Sequence, residues 1–254
     1  MPRVSNDGVS IHYRIEGNGP PLVFGHGFTD SSDVWYERGY VAALKAKYRL
    51  VLIDTRGHGQ SDKPHDPSSY AMEKCASDVV AVLDDLGMNT ATYWGYSMGG
   101  GIGYALARHA LDRVACFVIG GAAASGASAY PAEPGKEPPL ITALRAGPEA
   151  IIKMWGEEWM THALRERLLA NDTAALIACA QRPKNTGKLG TIAVPTLVYA
   201  GSADPVHDPA RQGASEIPGA LFVSLPGLSH PAANLRSDLV LPHVEPFLAK
   251  ATGR

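Results

Sequence analysis

Ser97 lies in the stretch Thr92-Tyr93-Trp94-Gly95-Tyr96-Ser97-Met98-Gly99-Gly100, a Gly-x-Ser-x-Gly arrangement between a short apolar run and a helix-like run. A nucleophile elbow needs this placement. The sharp strand-to-helix turn lifts the hydroxyl clear of a sheet, and the flanking glycines let strand and helix approach closely. The helix that follows aims its partial positive N-terminus at any oxyanion forming beside the serine. The plain alternative is a glycine-rich turn that happens to hold a serine. Other chemistries have less support. Gly99-Gly100-Gly101-Ile102-Gly103 has Tyr104 where a dinucleotide fingerprint needs its last glycine, and it follows the serine turn. The chain has no Gly-Lys-Ser/Thr phosphate loop and no His-Glu-x-x-His helix, so no cofactor and no metal are implied.

A serine turn of this kind needs a sheet beneath it. Leu22-Val23-Phe24, Leu50-Val51-Leu52-Ile53, Ala115-Cys116-Phe117-Val118-Ile119 and Thr196-Leu197-Val198-Tyr199 are short, nearly continuous apolar runs. Such runs suit parallel strands covered on both faces. Val9-Ser10-Ile11-His12-Tyr13 alternates with period two and predicts a half-buried strand. Between the runs, Cys75, Val79, Val82, Leu83 and Leu86 mark one face of a helix that stops at Gly87. Trp35 to Ala46 and Gly99 to His109 are predicted helices of similar length. Strand alternating with helix predicts an α/β fold with a mostly parallel sheet. The rhythm breaks after residue 120, where an Ala/Ser/Gly-rich segment and the Pro-rich stretch 131–139 precede a mainly helical region, Ile141 to Ala180. The predicted organisation is therefore a core of residues 1–120 and 191–254, with 121–190 a helical cap inserted over the sheet and too small for a large core of its own.

At these residues the chain resembles the α/β-hydrolase fold family over almost its whole length. His26-Gly27-Phe28 is similar to the family's oxyanion loop, and Asp54-Thr55-Arg56-Gly57-His58-Gly59-Gln60-Ser61-Asp62 to its signature loop after the next strand. Gly201-Ser202-Ala203-Asp204-Pro205 resembles the acid-bearing turn, and Gly227-Leu228-Ser229-His230 the histidine loop. The resemblance implies a triad in the order Ser97, Asp204, His230. His230 would be the base, Asp204 would hold its tautomer, and the backbone amides of Phe28 and Met98 would form the oxyanion hole. Ser229 departs from the family's usual glycine, and Pro231 from its usual larger apolar residue.

The nine histidines offer rivals to His230. His207 shares the Asp204 turn, but triad partners meet in space rather than in sequence. Asp208 is the rival acid and reads as a solvated turn residue, because Asp204 directly follows the strand end. His12 and His243 read as ordinary histidines, and His26 as a shaper of the oxyanion loop. Arg56 and Asp62 read as braces of their own loop. Tyr96, Trp155 and Trp159 are the candidate substrate-binding side chains, with Met154 and Met160 as further apolar walls; their plain reading is helix packing.

The resemblance implies a carboxylic ester or lactone hydrolase working through an acyl-enzyme on a small to medium substrate. Carbon–carbon hydrolases and hydroxynitrile lyases share the triad, and some members of the fold are small-molecule receptors with little turnover. A serine at position 97 argues against dehalogenases and epoxide hydrolases, whose nucleophile in this fold is an aspartate. Composition agrees with a soluble enzyme. The 254 residues include 23 Lys plus Arg and 25 Asp plus Glu, a net charge of −2 without the basic footprint of a nucleic-acid binder. No apolar run is long enough to span a bilayer, and the N-terminus carries no signal-peptide h-region. Three widely spaced cysteines make no disulfide framework, so a cytoplasmic setting is expected. Homo-oligomerisation is left open.

Overall fold

The apolar runs become neighbours in one eight-stranded sheet, ordered β1-β2-β4-β3-β5-β6-β7-β8. The computed structural model describes residues 2–183 and 190–253. The strands are β1 (Arg3–Asn6), β2 (Val9–Glu16), β3 (Pro21–Gly25), β4 (Arg49–Ile53), β5 (Ala91–Tyr96), β6 (Val114–Gly120), β7 (Thr196–Gly201) and β8 (Leu221–Leu225). The pairings β1·β2 and β2·β4 are antiparallel, and all pairings from β4 to β8 are parallel. Every residue of β5 is buried, as expected for a strand with helices on both faces.

Period-two alternation sends β5 side chains into two different cores. Tyr93 joins Val23, Val51, Phe117 and Val198 on one face, whereas Trp94 and Tyr96 join Phe24, Trp35 and Tyr199 on the other. Each fully buried Val, Leu, Ile or Phe contributes roughly 1.5–3 kcal/mol, so this double burial holds β5 at the sheet centre.

The helices are α1 (Val34–Glu37), α2 (Tyr40–Leu44), α3 (Met72–Asp85), α4 (Met98–His109), α5 (Pro139–Ala146), α6 (Pro148–Trp155), α7 (His162–Ala170), α8 (Thr173–Ala180), α9 (His207–Ser215), α10 (His230–Leu235) and α11 (Ser237–Ala251). The predicted helix through Cys75 and Leu83 is α3, and Gly87 ends it at φ +63°. There the Gly87 and Met88 amides return to the Asp84 and Leu83 carbonyls. The single helix expected over Trp35–Ala46 is instead two, because Gly39 sits at φ +81° between α1 and α2. The expectation of renewed strand at Ile192 shifts to Thr196, although Ile192 itself is buried.

Helices α5 to α8 lie between β6 and β7 in sequence, while residues 121–138 contain no regular element. Residues 184–189 of the expected cap lie outside the described residues. Ala143, Leu144, Ile151, Ile152, Leu168 and Leu176 form a small apolar cluster of their own. Phe28 packs against that cluster and also against a second one made by Tyr70, Met98, Ala178 and Cys179. These contacts seat the helical segment over the end of the sheet where β3 and β5 terminate. Cys75, Cys116 and Cys179 are free and buried. No described helix is long and apolar enough to cross a membrane.

Candidate active site

Ser97 joins β5 to α4 with φ +54°, a region that non-glycine residues seldom occupy. Holding it there costs on the order of 1–3 kcal/mol. Its neighbours meet that cost by fixing the turn from both sides. The Ser97 amide donates to the Gly120 carbonyl at 2.8 Å, and the Gly99 amide donates to the His26 carbonyl at 3.0 Å. A Cβ on Gly95 would run into the Gly99 carbonyl, and one on Gly99 into the Gly25 carbonyl. Both glycines of the motif are therefore demanded by close backbone approach.

The structure brings Ser97, His230 and Asp204 together. His230 Nε2 lies 2.8 Å from Ser97 Oγ, and its Nδ1 lies 2.6 Å from Asp204 Oδ2. Asp204 follows the end of β7, its carboxylate is fully buried, and its Oδ1 accepts from the Val206 amide at 3.0 Å. His230 opens α10, where Ser229 stands at the N-cap and Pro231 in the first turn. Pro231, unusual against the family pattern, thus occupies a position that a helix start favours.

The rivals are used elsewhere. His207 Nε2 lies 2.9 Å from Ser224 Oγ and its Nδ1 2.9 Å from Asp208, whose side chain is 77% exposed. His12 is buried and pairs with Asp54 at 2.9 Å. Arg56 makes a two-pronged bond to Asp78 at 2.7 and 2.6 Å and reaches the Ser69 carbonyl, while Asp62 accepts from the Ser10 amide. Both brace the loop after β4, as the sequence suggested.

The loop after β3 faces Ser97. A Cβ on Gly27 would sit 3.7 Å from the Ser97 Cβ. The Thr55 amide donates to His26 Nε2 at 3.1 Å, which leaves the proton on Nδ1, and Nδ1 donates to the Gly27 carbonyl at 2.7 Å. Burial lowers the His26 pKa and keeps this ring neutral. With the Gly27 carbonyl turned toward His26, the Phe28 amide of the same peptide points the opposite way. Among the described residues, neither the Phe28 nor the Met98 amide donates to a protein acceptor. Two free amides beside a serine hydroxyl are the donor set that a developing oxyanion needs.

Comparison with known proteins agrees with this fold. Residues 20–143 match the family model described as alpha/beta hydrolase fold. The chain is 30% identical to 3-oxoadipate enol-lactonase 2 of Acinetobacter baylyi, covering 78% of this chain and 77% of that one. It is also similar to the crystal structure of an esterase from Rhodococcus sp. ECU1013, with 29% identity, a TM-score of 0.81 and 98% of both chains covered. The enol-lactonase from Burkholderia xenovorans LB400 superposes with a TM-score of 0.80 at 27% identity, over 98% of this chain and 100% of that one. This chain belongs to the α/β-hydrolase family.

The cavity of this α/β-hydrolase has a volume of ≈ 830 Å³ and is lined by Ser97, His230, Phe28, Met98, Tyr96 and Trp155, among others. That volume suits a small to medium organic molecule. Trp159 is not among the lining residues, and it lies in the short turn Glu157–Trp159 after α6. Tyr96 is almost wholly buried, and its hydroxyl donates to the His230 carbonyl at 2.6 Å. Its position suits holding the histidine loop as much as touching substrate. Sequence reasoning missed Tyr130, whose ring stands edge-on to His230 at 6.5 Å, as well as Arg38 and Asn234, which also line the cavity. Tyr130 falls in the irregular stretch before α5, where no periodicity signals which side chains face inward.

Proposed function

We propose that this α/β-hydrolase cleaves a carboxylic ester or lactone of a small to medium substrate through an acyl-enzyme on Ser97. The observation that carries this reading is the continuous chain from Ser97 Oγ through His230 to Asp204, at 2.8 and 2.6 Å, opposite two unengaged amides. Its similarity to an enol-lactonase and an esterase supports the same bond type.

The steps follow from the atoms. His230 Nε2 takes the Ser97 hydroxyl proton as Oγ attacks the carbonyl carbon. The carbonyl oxygen becomes an oxyanion and accepts from the Phe28 and Met98 amides, each such donor being worth about 2.7–4 kcal/mol in the transition state. Asp204 stabilises the imidazolium without taking its proton. Collapse expels the alkoxide, which receives that proton from His230. In a lactone this leaving oxygen stays tethered to the acyl group. Water, deprotonated by His230, then attacks the acyl-enzyme, and the proton returns to Ser97 as the acid leaves.

Residues 121–190 act in this reading as a cap that closes the cavity, with Trp155 and Tyr96 bordering the bound acyl group. The test is initial rates on p-nitrophenyl esters from acetate to long acyl chains, with Ser97→Ala alongside. Turnover abolished in a folded Ser97→Ala variant is expected; turnover that survives it removes the mechanism.

A further inference from the structure

Thr29 is the one non-glycine residue of the oxyanion loop with positive φ, at +64°. For a β-branched side chain this is a costly conformation, so something must hold it. Two residues of the helical segment reach across to do so. Asn171, at the C-terminal end of α7, donates through Nδ2 to the Thr29 carbonyl at 2.8 Å. Arg167, about one helical turn earlier on the same helix, sets its Nε 3.5 Å from Asp30 Oδ1 and grips Glu37 through two bonds of 2.9 Å. From the core side, Arg38 donates to Asp30 Oδ2 at 3.2 Å.

Arg167 and Arg38, both largely covered, thus face the buried Asp30 and the solvent-exposed Glu37, balancing two cations against two carboxylates around the loop. Arg14 and Asp33 pair separately nearby at 2.7 Å.

The clamp leads directly to the reactive amide. The Asp30 amide donates to the Gly27 carbonyl at 3.3 Å, the same oxygen that His26 Nδ1 holds at 2.7 Å. That carbonyl and the Phe28 amide belong to one rigid peptide plane. Whatever fixes Thr29 and Asp30 therefore also fixes the direction of the Phe28 N–H. We propose that Arg167 and Asn171 are positioning residues that aim the Phe28 amide at the oxyanion, so that the seated α7 completes the oxyanion hole. This rests on the reading of Ser97 as an acylated nucleophile.

The relation predicts a particular kinetic signature. Donors that misalign by about 1 Å can cost on the order of a hundredfold in rate, and the loss falls on the transition state rather than on substrate binding. With p-nitrophenyl acetate, whose acyl group is too short to depend on the cap for binding, Asn171→Ala and Arg167→Met should lower kcat about ten- to a hundredfold with KM within about twofold. The affinity for an alkyl trifluoromethyl ketone, which forms the oxyanion adduct, should weaken by the same factor as kcat/KM. Affinity for acetate, a product that forms no adduct, should stay as in the parent.

Thr29→Gly in the Asn171→Ala background should recover most of the lost kcat, because glycine takes φ +64° without a side-chain penalty. Such rescue is not expected if Asn171 only stabilises the fold. Ser97-dependent turnover with parental kcat in both single variants, loss confined to KM, or an Asn171→Ala defect that Thr29→Gly leaves untouched overturns the proposal alone. Ester turnover that is indifferent to Ser97→Ala overturns the hydrolase reading, and the proposal with it. If Arg167→Met does not fold, the Asn171→Ala and Thr29→Gly pair decides the matter.

Discussion

The Tyr96 hydroxyl donates to the main-chain carbonyl of His230 at 2.6 Å, tying the residue before the serine to the residue that faces it. Burial pushes the Tyr96 phenol well above its ordinary range, so it keeps its proton throughout the neutral region. Its contribution is therefore geometric. Tyr96→Phe removes the donor and leaves a carbonyl short of a partner, a change worth about 1–3 kcal/mol of stability. Denaturant melts should register that loss, and kcat should fall several-fold with little change in KM. A variant with parental kcat would show that α10 holds His230 without this bond.

Asp204 bonds the Nδ1 edge of His230, which leaves Nε2 facing Ser97 Oγ, and in the proposed mechanism Nε2 is the nitrogen that accepts the serine proton. Asp204→Asn keeps the shape but presents an amide that can hold the wrong tautomer. A drop of about 10⁴ in kcat is expected with the fold intact by circular dichroism. By contrast, Asp208→Asn should leave ester hydrolysis unchanged, since Asp208 pairs with His207 and Arg211 at the surface. A large loss in Asp208→Asn would reassign the acid.

Gly99 has no room for a methyl group against the Gly25 and His26 carbonyls. Gly99→Ala must push β3 and α4 apart, with an expected cost of about 4 kcal/mol or more. The control is Gly190→Ala, where no described residue lies within 4 Å. A thermal melt should separate the two clearly, and equal Tm values would contradict the tight elbow.

Burial pushes the His58 imidazole down to about 3, and burial lowers His26 as well. In the unfolded chain both would titrate near 6.5. As pH falls below about 6.5 the unfolded state binds protons that the folded state refuses, so stability declines. For His58 the loss continues toward about 3 at up to about 1.4 kcal/mol per pH unit, and His26 acts in the same direction. Their contribution is fully present above the unfolded value and is lost on acidification. Urea melts at pH 7, 6 and 5 should trace this slope, and His58→Asn should make it shallower. An unchanged slope in that variant would sink the assignment to His58.

Trp155 lines the cavity and Trp159 does not, although they sit four residues apart. Trp155→Ala should shift the preferred acyl chain length and raise KM, with kcat on acetate esters near parental. Trp159→Ala should alter neither. A reversed pattern in a p-nitrophenyl ester series would mean that the other face of this segment meets the substrate.

What could be read from the chain alone is what local chemistry encodes. Apolar runs such as Leu22-Val23-Phe24 gave their strands away because a doubly covered strand must be apolar on both sides. Gly87 ended its helix, and Gly95-x-Ser97-x-Gly99 announced the elbow, because tight backbone turns admit few residue types. Gly39 split a helix that apolar content alone had joined, since one left-handed residue outweighs a periodic pattern. The choice of His230 over His207 leaned on family resemblance, because both histidines lie near a carboxylate in sequence, and it is His230 that the fold sets 2.8 Å from Ser97 Oγ. Only the path of the chain brings one of them to Ser97. The same holds for Trp155 against Trp159, for Tyr130, for Asn171 against Thr29 and for Arg167 against Asp30. Those contacts join residues up to 142 positions apart. Their partners are set by how helices seat on the sheet, and no spacing within a single segment can specify that.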